Sequence, residues 1–209
     1  NNQRNGLVTL MIKLRKKQLY LLSLVFGLMC IISFWVVGAD KETKASQWQA
    51  RASRVLNSAE GPLAISDFRD NVVLIFFGYT SCPSVCPITL ATMGKVLEQL
   101  LPADLKRTKA LFISLDPEKD TVEVLKQYTG YFHKNIIGLT ADTDVLNKVT
   151  EQYEIKFEKI LVPKSALGYV ISHPIDIIVL GLNGEVKRTF EGHNSTILLR
   201  DYITYLLNE

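Results

Sequence analysis

Cysteine and histidine are both scarce in this chain, which has three of each among 209 residues. Three cysteines are too few to hold together a disulfide-stapled small fold, so the protein must bury an ordinary hydrophobic core. Hydrophobic residues make up 47% and charged residues 22%, near the globular average, which excludes disordered, collagen-like and coiled-coil classes. Internal repeats and low-complexity stretches are also absent from the sequence. The length fits one domain with an appendage.

The main part of the chain has little excess charge of either sign. Residues 1–39 contain five of the 24 basic residues and none of the 21 acidic ones. The remaining residues therefore hold 19 basic and 21 acidic side chains, a net charge of −2. A slightly acidic body offers no electrostatic attraction for a polyanion, so we expect no nucleic-acid partner.

The longest apolar run covers residues 19–37 and contains 19 residues without a charge. A helix needs about 20 apolar residues to cross a bilayer. Basic residues are concentrated at positions 13–17, and the acidic residues Asp40 and Glu42 follow the run. The positive-inside rule then places the N-terminus in the cytoplasm and the body on the far side of the membrane.

These features predict four segments along the chain. They are a basic cytoplasmic tail (residues 1–18), a transmembrane anchor or uncleaved signal (19–38), a polar linker (39–54) and one globular domain (55–209). A cleaved signal peptide is the alternative, because residues 37–39 are small enough for a cleavage site. The apolar run is longer than the usual signal core of about 7–15 residues, which favours a retained anchor. Both alternatives export the domain to an oxidising compartment.

Apolar runs and helical spacings alternate along the domain. The predicted strands are residues 72–77, 110–115, 136–139, 175–180 and 185–190, and the predicted helices are residues 88–101, 121–131, 143–153 and 195–207. The last two strands flank an Asn183-Gly184 pair that is typical of a hairpin turn. Parallel βαβ units followed by a hairpin and a helix predict an α/β sandwich of the thioredoxin type.

Two cysteines, Cys82 and Cys86, follow the first predicted strand and open the next helix. Loops at this edge of a parallel sheet are where α/β proteins place their sites. Cysteines four residues apart lie on one side of a helical turn, so their sulfurs can hold one soft metal ion or form a disulfide. Pro87 favours a looped segment over residues 82–86, with the regular helix starting at Pro87. The spacing is wider than the C-x-x-C of thioredoxin-like redox enzymes.

A metal ion held by two cysteines needs a third ligand, and histidine is the natural choice. Thiolate ligands favour Cu(I), and thiolates with imidazole also suit Cu(II). His133 and His193 stand in polar turns, where a solvated role is expected. His173 precedes the strand at residues 175–180, and a thioredoxin-type fold brings the start of that strand beside the cysteine loop. Structural and pH-switch roles compete with ligation at a lone histidine.

Two further carboxylates, Asp116 and Asp120, follow the strand at residues 110–115. Asp116 precedes a proline, which is typical of a turn. Asp120 or Thr121 is placed to cap the next helix. We therefore expect structural roles for both carboxylates.

Three motifs in this order resemble the Sco/SenC family of copper proteins. The first is FGYTSCPSVCP at residues 77–87, and the second is SLDPEKDT at residues 114–121. The third is the single histidine, His173, before a strand and a Gly-x-Asn-Gly turn. The resemblance covers residues 65–207, and the predicted anchor also matches.

This resemblance implies a thioredoxin-like fold and one copper ion per chain, as Cu(I), Cu(II) or both. By position, the implied metal ligands are Cys82, Cys86 and His173. The implied function is that of a membrane-tethered chaperone for the CuA site of cytochrome c oxidase, with the copper-accepting oxidase subunit as its partner. The implied location is a bacterial inner membrane with the domain in the periplasm, or a mitochondrial inner membrane facing the intermembrane space.

The sequence departs from the family pattern at three positions. Ser84 stands between the cysteines and Ser172 stands before the histidine, where the family usually has aspartate. Pro174 follows the histidine in place of threonine or serine. A carboxylate beside a ligating histidine orients it, and its loss weakens metal binding by about 10–100-fold.

Other functions can use the same cysteines. A thiol–disulfide oxidoreductase that reduces the cysteines of a copper-accepting partner needs only Cys82 and Cys86. A redox or copper sensor also fits, whereas a peroxidase is disfavoured because residues 78–87 include no basic side chain. We expect no classical enzyme. A requirement for His173 separates the chaperone from the oxidoreductase.

Overall fold

The computed structural model describes residue 29 and residues 54–163, 167–193 and 195–209. The chain divides into two units, Asn1–Gln47 and Trp48–Glu209, and the fold below is that of the second. Apart from residue 29, the predicted tail and anchor at residues 1–38 lie outside the described residues, as does most of the predicted linker. Within the described part of the chain, no helix combines the length and apolar character that a membrane crossing requires.

The described part of the second unit contains nine strands and five α-helices. The strands are β1 (Val55–Ser58), β2 (Gly61–Ala64), β3 (Val72–Gly78), β4 (Thr108–Ser114), β5 (Ile136–Leu139), β6 (Glu158–Leu161), β7 (Tyr169–Ser172), β8 (Asp176–Leu180) and β9 (Val186–Glu191). The helices are α1 (Val85–Gln99), α2 (Pro102–Lys106), α3 (Val122–Phe132), α4 (Thr143–Gln152) and α5 (Thr196–Leu207), and a 3-10 turn covers Ile65–Phe68.

A five-stranded mixed sheet forms the centre of the domain, in the order β5-β4-β3-β8-β9. Strands β3, β4 and β5 are parallel, whereas β8 runs antiparallel to β3 and pairs with β9 as a hairpin. All seven residues of β3 are buried, which means that both faces of the sheet are covered at its centre. The predicted α/β sandwich is therefore confirmed.

The first helix differs from its prediction. It begins at Val85 and includes Cys86, whereas the sequence predicted a loop over residues 82–86 and a helix from Pro87. Pro87 is tolerated because the first N–H groups of a helix have no partner within the helix, so a missing donor there loses no hydrogen bond. Cys86 consequently lies on the first helical turn and Cys82 lies in the loop before it.

Two short hairpins and helix α2 were not predicted. The hairpin β1–β2 precedes β3, and the hairpin β6–β7 forms a separate two-stranded sheet outside the central one. All four residues of β6 are exposed, so this strand has no alternating apolar pattern for a sequence reading to detect. The second hairpin matters for function because His173 directly follows β7.

Candidate metal centre

The cysteines are placed by the end of the buried central strand. Strand β3 ends at Gly78, and a short loop leads into α1. Cys82 is 8% exposed and Cys86 is fully buried, and both are free thiols. A Cβ atom at Gly78 would lie 2.8 Å from the Cys86 sulfur, so the absence of a side chain there makes room for this sulfur.

His173 reaches the cysteines from the other side of the site. Its Nε2 atom lies 3.5 Å from the Cys86 sulfur. Its Nδ1 atom lies 2.7 Å from the carbonyl oxygen of Pro174. A carbonyl only accepts hydrogen bonds, so Nδ1 carries the proton and donates it, which leaves the Nε2 lone pair facing the sulfurs. The Pro174 carbonyl thus orients the imidazole.

Two aromatic rings flank the His173 imidazole. The Tyr79 ring meets it edge-on at a centroid distance of 5.9 Å, and the Phe76 ring lies at 6.2 Å. The Tyr79 hydroxyl oxygen accepts a hydrogen bond of 3.4 Å from the Ile171 N–H, two residues before the histidine. These contacts hold the imidazole against the core and shield one side of it from water.

The donor atoms of Cys82, Cys86 and His173 lie within 4.8 Å of one another. Metal bonds to sulfur and nitrogen are about 2.0–2.3 Å, as in zinc sites, so ligand atoms around one ion stand roughly 4 Å apart. The three atoms therefore fit a single soft metal ion. In the part of the chain that the structure describes, no other His, Cys, Asp and Glu side chains form such a cluster, and His133 and His193 lie outside it.

Comparison with known proteins identifies the family of this chain. The SCO1/SenC family model matches residues 43–208. The chain belongs to the SCO1/SenC family. Among curated relatives, the bovine mitochondrial protein SCO2 homolog is 31% identical over 158 residues, covering 70% of this chain. The match spans 59% of that relative, so this chain corresponds to about three fifths of its length.

Solved structures support the same fold for this SCO1/SenC chain. The apo Sco1 protein of Thermus thermophilus is 29% identical, with a TM-score of 0.67 over 73% of this chain and 89% of that one. The structure of Bradyrhizobium japonicum ScoI with copper bound is 28% identical, with a TM-score of 0.67 over 73% of this chain and 96% of that one. The mixed α/β fold thus agrees with the expected thioredoxin-like family fold.

The two thiols of this SCO1/SenC site differ strongly in acidity. The Cys86 thiol donates a hydrogen bond that lowers the pKa of Cys82, and the backbone N–H groups of Ser84 and Cys86 lower it further. The same bond, together with burial, raises the pKa of Cys86. The pair therefore exists as one thiolate and one thiol at neutral pH, and a metal that binds both sulfurs displaces one proton.

We expect Cys82 in the metal-free protein to react with iodoacetamide at a rate that changes little between about pH 5 and pH 8. Alkylation follows the thiolate fraction, and a lowered pKa keeps the thiolate present as the pH falls. An ordinary thiol slows roughly tenfold per pH unit below its pKa of about 8.5. Rates are read for each cysteine by peptide mass spectrometry, in the presence of a metal chelator.

The control for this experiment is Cys86→Ala, which removes the first cause of the lowered Cys82 pKa. In this variant the pKa of Cys82 should rise and the pH dependence should return. Equal labelling of Cys82 and Cys86 in the unmodified chain, or a tenfold fall per pH unit at Cys82, would contradict the assigned acidities.

The predicted structural roles of the two aspartates are confirmed, but their carboxylates bond to residues far away in the sequence. Thr121 caps α3, since its hydroxyl accepts the Val124 N–H at 3.4 Å, whereas Asp120 does not cap the helix. Instead, the Asp120 carboxylate accepts hydrogen bonds from the backbone N–H and hydroxyl of Thr80, two residues before Cys82. Asp116 accepts a hydrogen bond from the Tyr169 hydroxyl. No local signal reveals these partners, because they lie 40 and 53 residues away in the sequence.

Proposed function

We propose that this chain is a copper chaperone that binds one copper ion through Cys82, Cys86 and His173 and delivers it to the CuA site of cytochrome c oxidase. The observation that carries the proposal is the convergence of two sulfurs and one unprotonated imidazole nitrogen within 4.8 Å. Two soft sulfurs favour Cu(I), and the added imidazole also suits Cu(II). The copper-bound ScoI structure from Bradyrhizobium japonicum supports the same assignment.

Copper is the cargo of this protein, so the site must release it as well as hold it. Three protein ligands leave room for a fourth donor from an acceptor protein. Cys82 is 8% exposed, so an acceptor protein can approach it, whereas Cys86 is fully buried. In the proposed transfer, a donor atom of the acceptor binds copper first, and the outer ligand Cys82 leaves before the buried one. No oxidant or reductant is needed, because the metal changes ligands and keeps its charge.

The proposed location is the outer face of a respiratory membrane. Residues 1–18 form a cytoplasmic tail, residues 19–38 an anchor, residues 39–54 a linker and residues 55–209 the copper-binding domain. The domain then faces a bacterial periplasm or the mitochondrial intermembrane space, and the bovine relative is named as a mitochondrial protein. Tethering to the membrane that holds the oxidase raises the effective concentration of the copper-accepting subunit.

A thiol–disulfide oxidoreductase is the second candidate, and the unequal acidity of the two thiols favours it. The Cys82 thiolate would attack one sulfur of a partner disulfide and release the other as a thiolate. Cys86 would then attack the mixed disulfide. The partner leaves as a dithiol after gaining two electrons, and Cys82 and Cys86 are left as a disulfide. His173 takes no part in these bond changes.

We expect the full chain, reduced and free of oxygen, to bind one copper ion, and Cys30→Ala to retain that stoichiometry. Cys30 belongs to the predicted anchor and to no proposed ligand set. Cu(I) is titrated against a chromophoric chelator, and Cu(II) by the visible thiolate-to-copper absorption band. The loaded chain is then mixed with a metal-free CuA domain, and copper is expected to move to that domain. Failure to bind copper, or to transfer it, would overturn the chaperone proposal.

A further inference from the structure

One loop without any metal ligand contacts both halves of the site. It joins β4 to α3 over residues 115–121, and we call it the acidic loop because it contains Asp116, Glu118 and Asp120. Asp116 and Asp120 are 2% and 1% exposed, which is unusual for carboxylates. Buried carboxylates are tolerated only when donors satisfy them, and the donors here come from the two segments that bear the ligands.

On the cysteine side of the site, the Asp120 carboxylate is hydrogen-bonded to Thr80, which lies two residues before Cys82. This carboxylate accepts the Thr80 N–H at 3.0 Å and the Thr80 hydroxyl at 2.5 Å. It also accepts the Ser114 hydroxyl at 2.5 Å, which ties it to the end of β4. Charge-assisted hydrogen bonds of this kind are roughly twice as strong as neutral ones. The start of the cysteine loop is therefore fixed to the central sheet.

On the histidine side, Asp116 holds the hairpin β6–β7. The Tyr169 hydroxyl donates to the Asp116 carboxylate at 2.5 Å, and both residues are buried. Tyr169 begins β7, and His173 is the first residue after β7. The amines of Lys119 and Lys159 lie 4.8 Å and 4.0 Å from the centre of the Tyr169 ring. These contacts dock the start of the strand that leads to the ligand.

The position of this hairpin rests on side-chain contacts, which include the burial of Tyr169 and Ile171 in the core. Strands β6 and β7 form a separate two-stranded sheet, so no strand pairing ties them to the central sheet. Besides Tyr169–Asp116, the hairpin has an exposed Lys159–Glu118 ion pair and the long 3.4 Å bond from Ile171 to Tyr79. Exposed ion pairs contribute little. The buried Tyr169–Asp116 bond is accordingly the strongest polar anchor of the three.

We propose that the acidic loop sets the separation between the sulfur ligands and the nitrogen ligand. In this arrangement Asp116 and Tyr169 are positioning residues for His173, and Asp120 is a positioning residue for the cysteine loop. Neither aspartate touches the metal. The inference rests on the proposed function where it concerns copper, but it also applies to the metal-free protein, in which the same bonds place the imidazole against Tyr79 and Phe76.

We expect Tyr169→Phe to weaken copper binding by about 10–100-fold, as the loss of an orienting partner does at other metal sites. The change removes one hydroxyl and keeps the ring. Tyr131→Phe is the matched control, since Tyr131 is 87% exposed on α3, and its affinity should equal that of the unmodified chain. Asp116→Asn keeps an acceptor for the hydroxyl but loses the charge, so its effect should be smaller than that of Tyr169→Phe and provides a second, milder test.

A double-mutant cycle tells positioning from general damage. If Tyr169 acts through His173, Tyr169→Phe should have no further effect on copper affinity in a His173→Ala background. An undiminished effect in that background, or an unchanged affinity for Tyr169→Phe alone, would overturn the inference and leave the proposed function in place.

A measurement without metal separates the two proposals. The proton resonances of the His173 ring are displaced by the neighbouring Tyr79 and Phe76 rings, so they report the position of the imidazole. They should shift in metal-free Tyr169→Phe and stay in place in Tyr131→Phe. Shifts that occur in Tyr169→Phe but not in Tyr131→Phe support the positioning role, even if the unmodified chain fails to bind copper. Unshifted resonances in Tyr169→Phe contradict that role, even if copper binds.

Discussion

Replacing His173 by alanine is expected to weaken copper binding by more than about 100-fold. Loss of an outer orienting partner already weakens metal binding by about 10–100-fold, and this change removes a ligand itself. The Nε2 atom is fixed toward the sulfurs because Nδ1 donates to the Pro174 carbonyl. Among the described residues, no other His, Cys, Asp or Glu joins this cluster to replace it. Affinity is measured by competition with a chromophoric Cu(I) chelator, and Cu(II) binding by the thiolate-to-copper band.

His193→Ala is the control for this substitution. His193 is exposed and lies outside the ligand cluster, so its loss should leave copper affinity unchanged. Copper binding that is indifferent to His173 would contradict the three-ligand site and favour the oxidoreductase. Thiol–disulfide exchange by Cys82 and Cys86 should persist in His173→Ala, because that chemistry uses the sulfurs alone. If His173→Ala loses copper binding but retains thiol–disulfide exchange, the histidine is identified as a metal ligand.

Gly78→Ala is expected to lower the free energy of unfolding by about 1–3 kcal/mol and to weaken copper binding in the same protein. The added Cβ would stand 2.8 Å from the Cys86 sulfur and 2.9 Å from the Phe112 ring. Both neighbours are fully buried, so neither can move without disturbing the core. The sulfur would be pushed from its place opposite His173. Denaturant unfolding of the metal-free protein and copper competition measure the two effects.

Gly130→Ala supplies the matched control for the glycine. Gly130 lies in α3, and a Cβ atom there meets nothing within 4 Å. Alanine is the better helix former by about 0.8–1.0 kcal/mol, so this variant should be as stable as the unmodified chain or more stable, with normal copper affinity. If Gly78→Ala matched Gly130→Ala in stability and copper affinity, the Cys86 sulfur could accommodate the added Cβ atom. That result would contradict the close packing between β3 and the metal site.

Local patterns were sufficient for the central elements of the fold. The apolar run in β3 identified a strand covered on both faces, because only a central strand can bury consecutive side chains. The helical spacing and Thr121 located α3 within one residue at each end. The hairpin β8–β9 followed from Asn183-Gly184, and Gly184 has the positive φ of 82° that favours glycine. These signals lie within a few residues of the structure they specify.

Other elements carried no such signal. Strand β6 is exposed along its length, so its pairing with β7 depends on contacts that composition does not reveal. The start of α1 was wrong by two residues, because Pro87 is as acceptable inside the first turn as at its first position. The anchor and linker predictions concern residues outside those described and remain predictions.

The candidate site likewise combines features that the sequence predicts with features that it does not. Residue types and their spacing were enough to predict the chemistry: a cysteine pair at helical spacing after a buried strand, and few histidines from which to choose a partner. The folded chain shows that His173 contacts Cys86, 87 residues away in the sequence, and which imidazole nitrogen faces the sulfurs. It also shows that Asp116 and Asp120 join the two halves. Ligand type is a property of single residues, whereas the distance and orientation of the ligands depend on segments that are far apart in sequence and meet only in the folded chain.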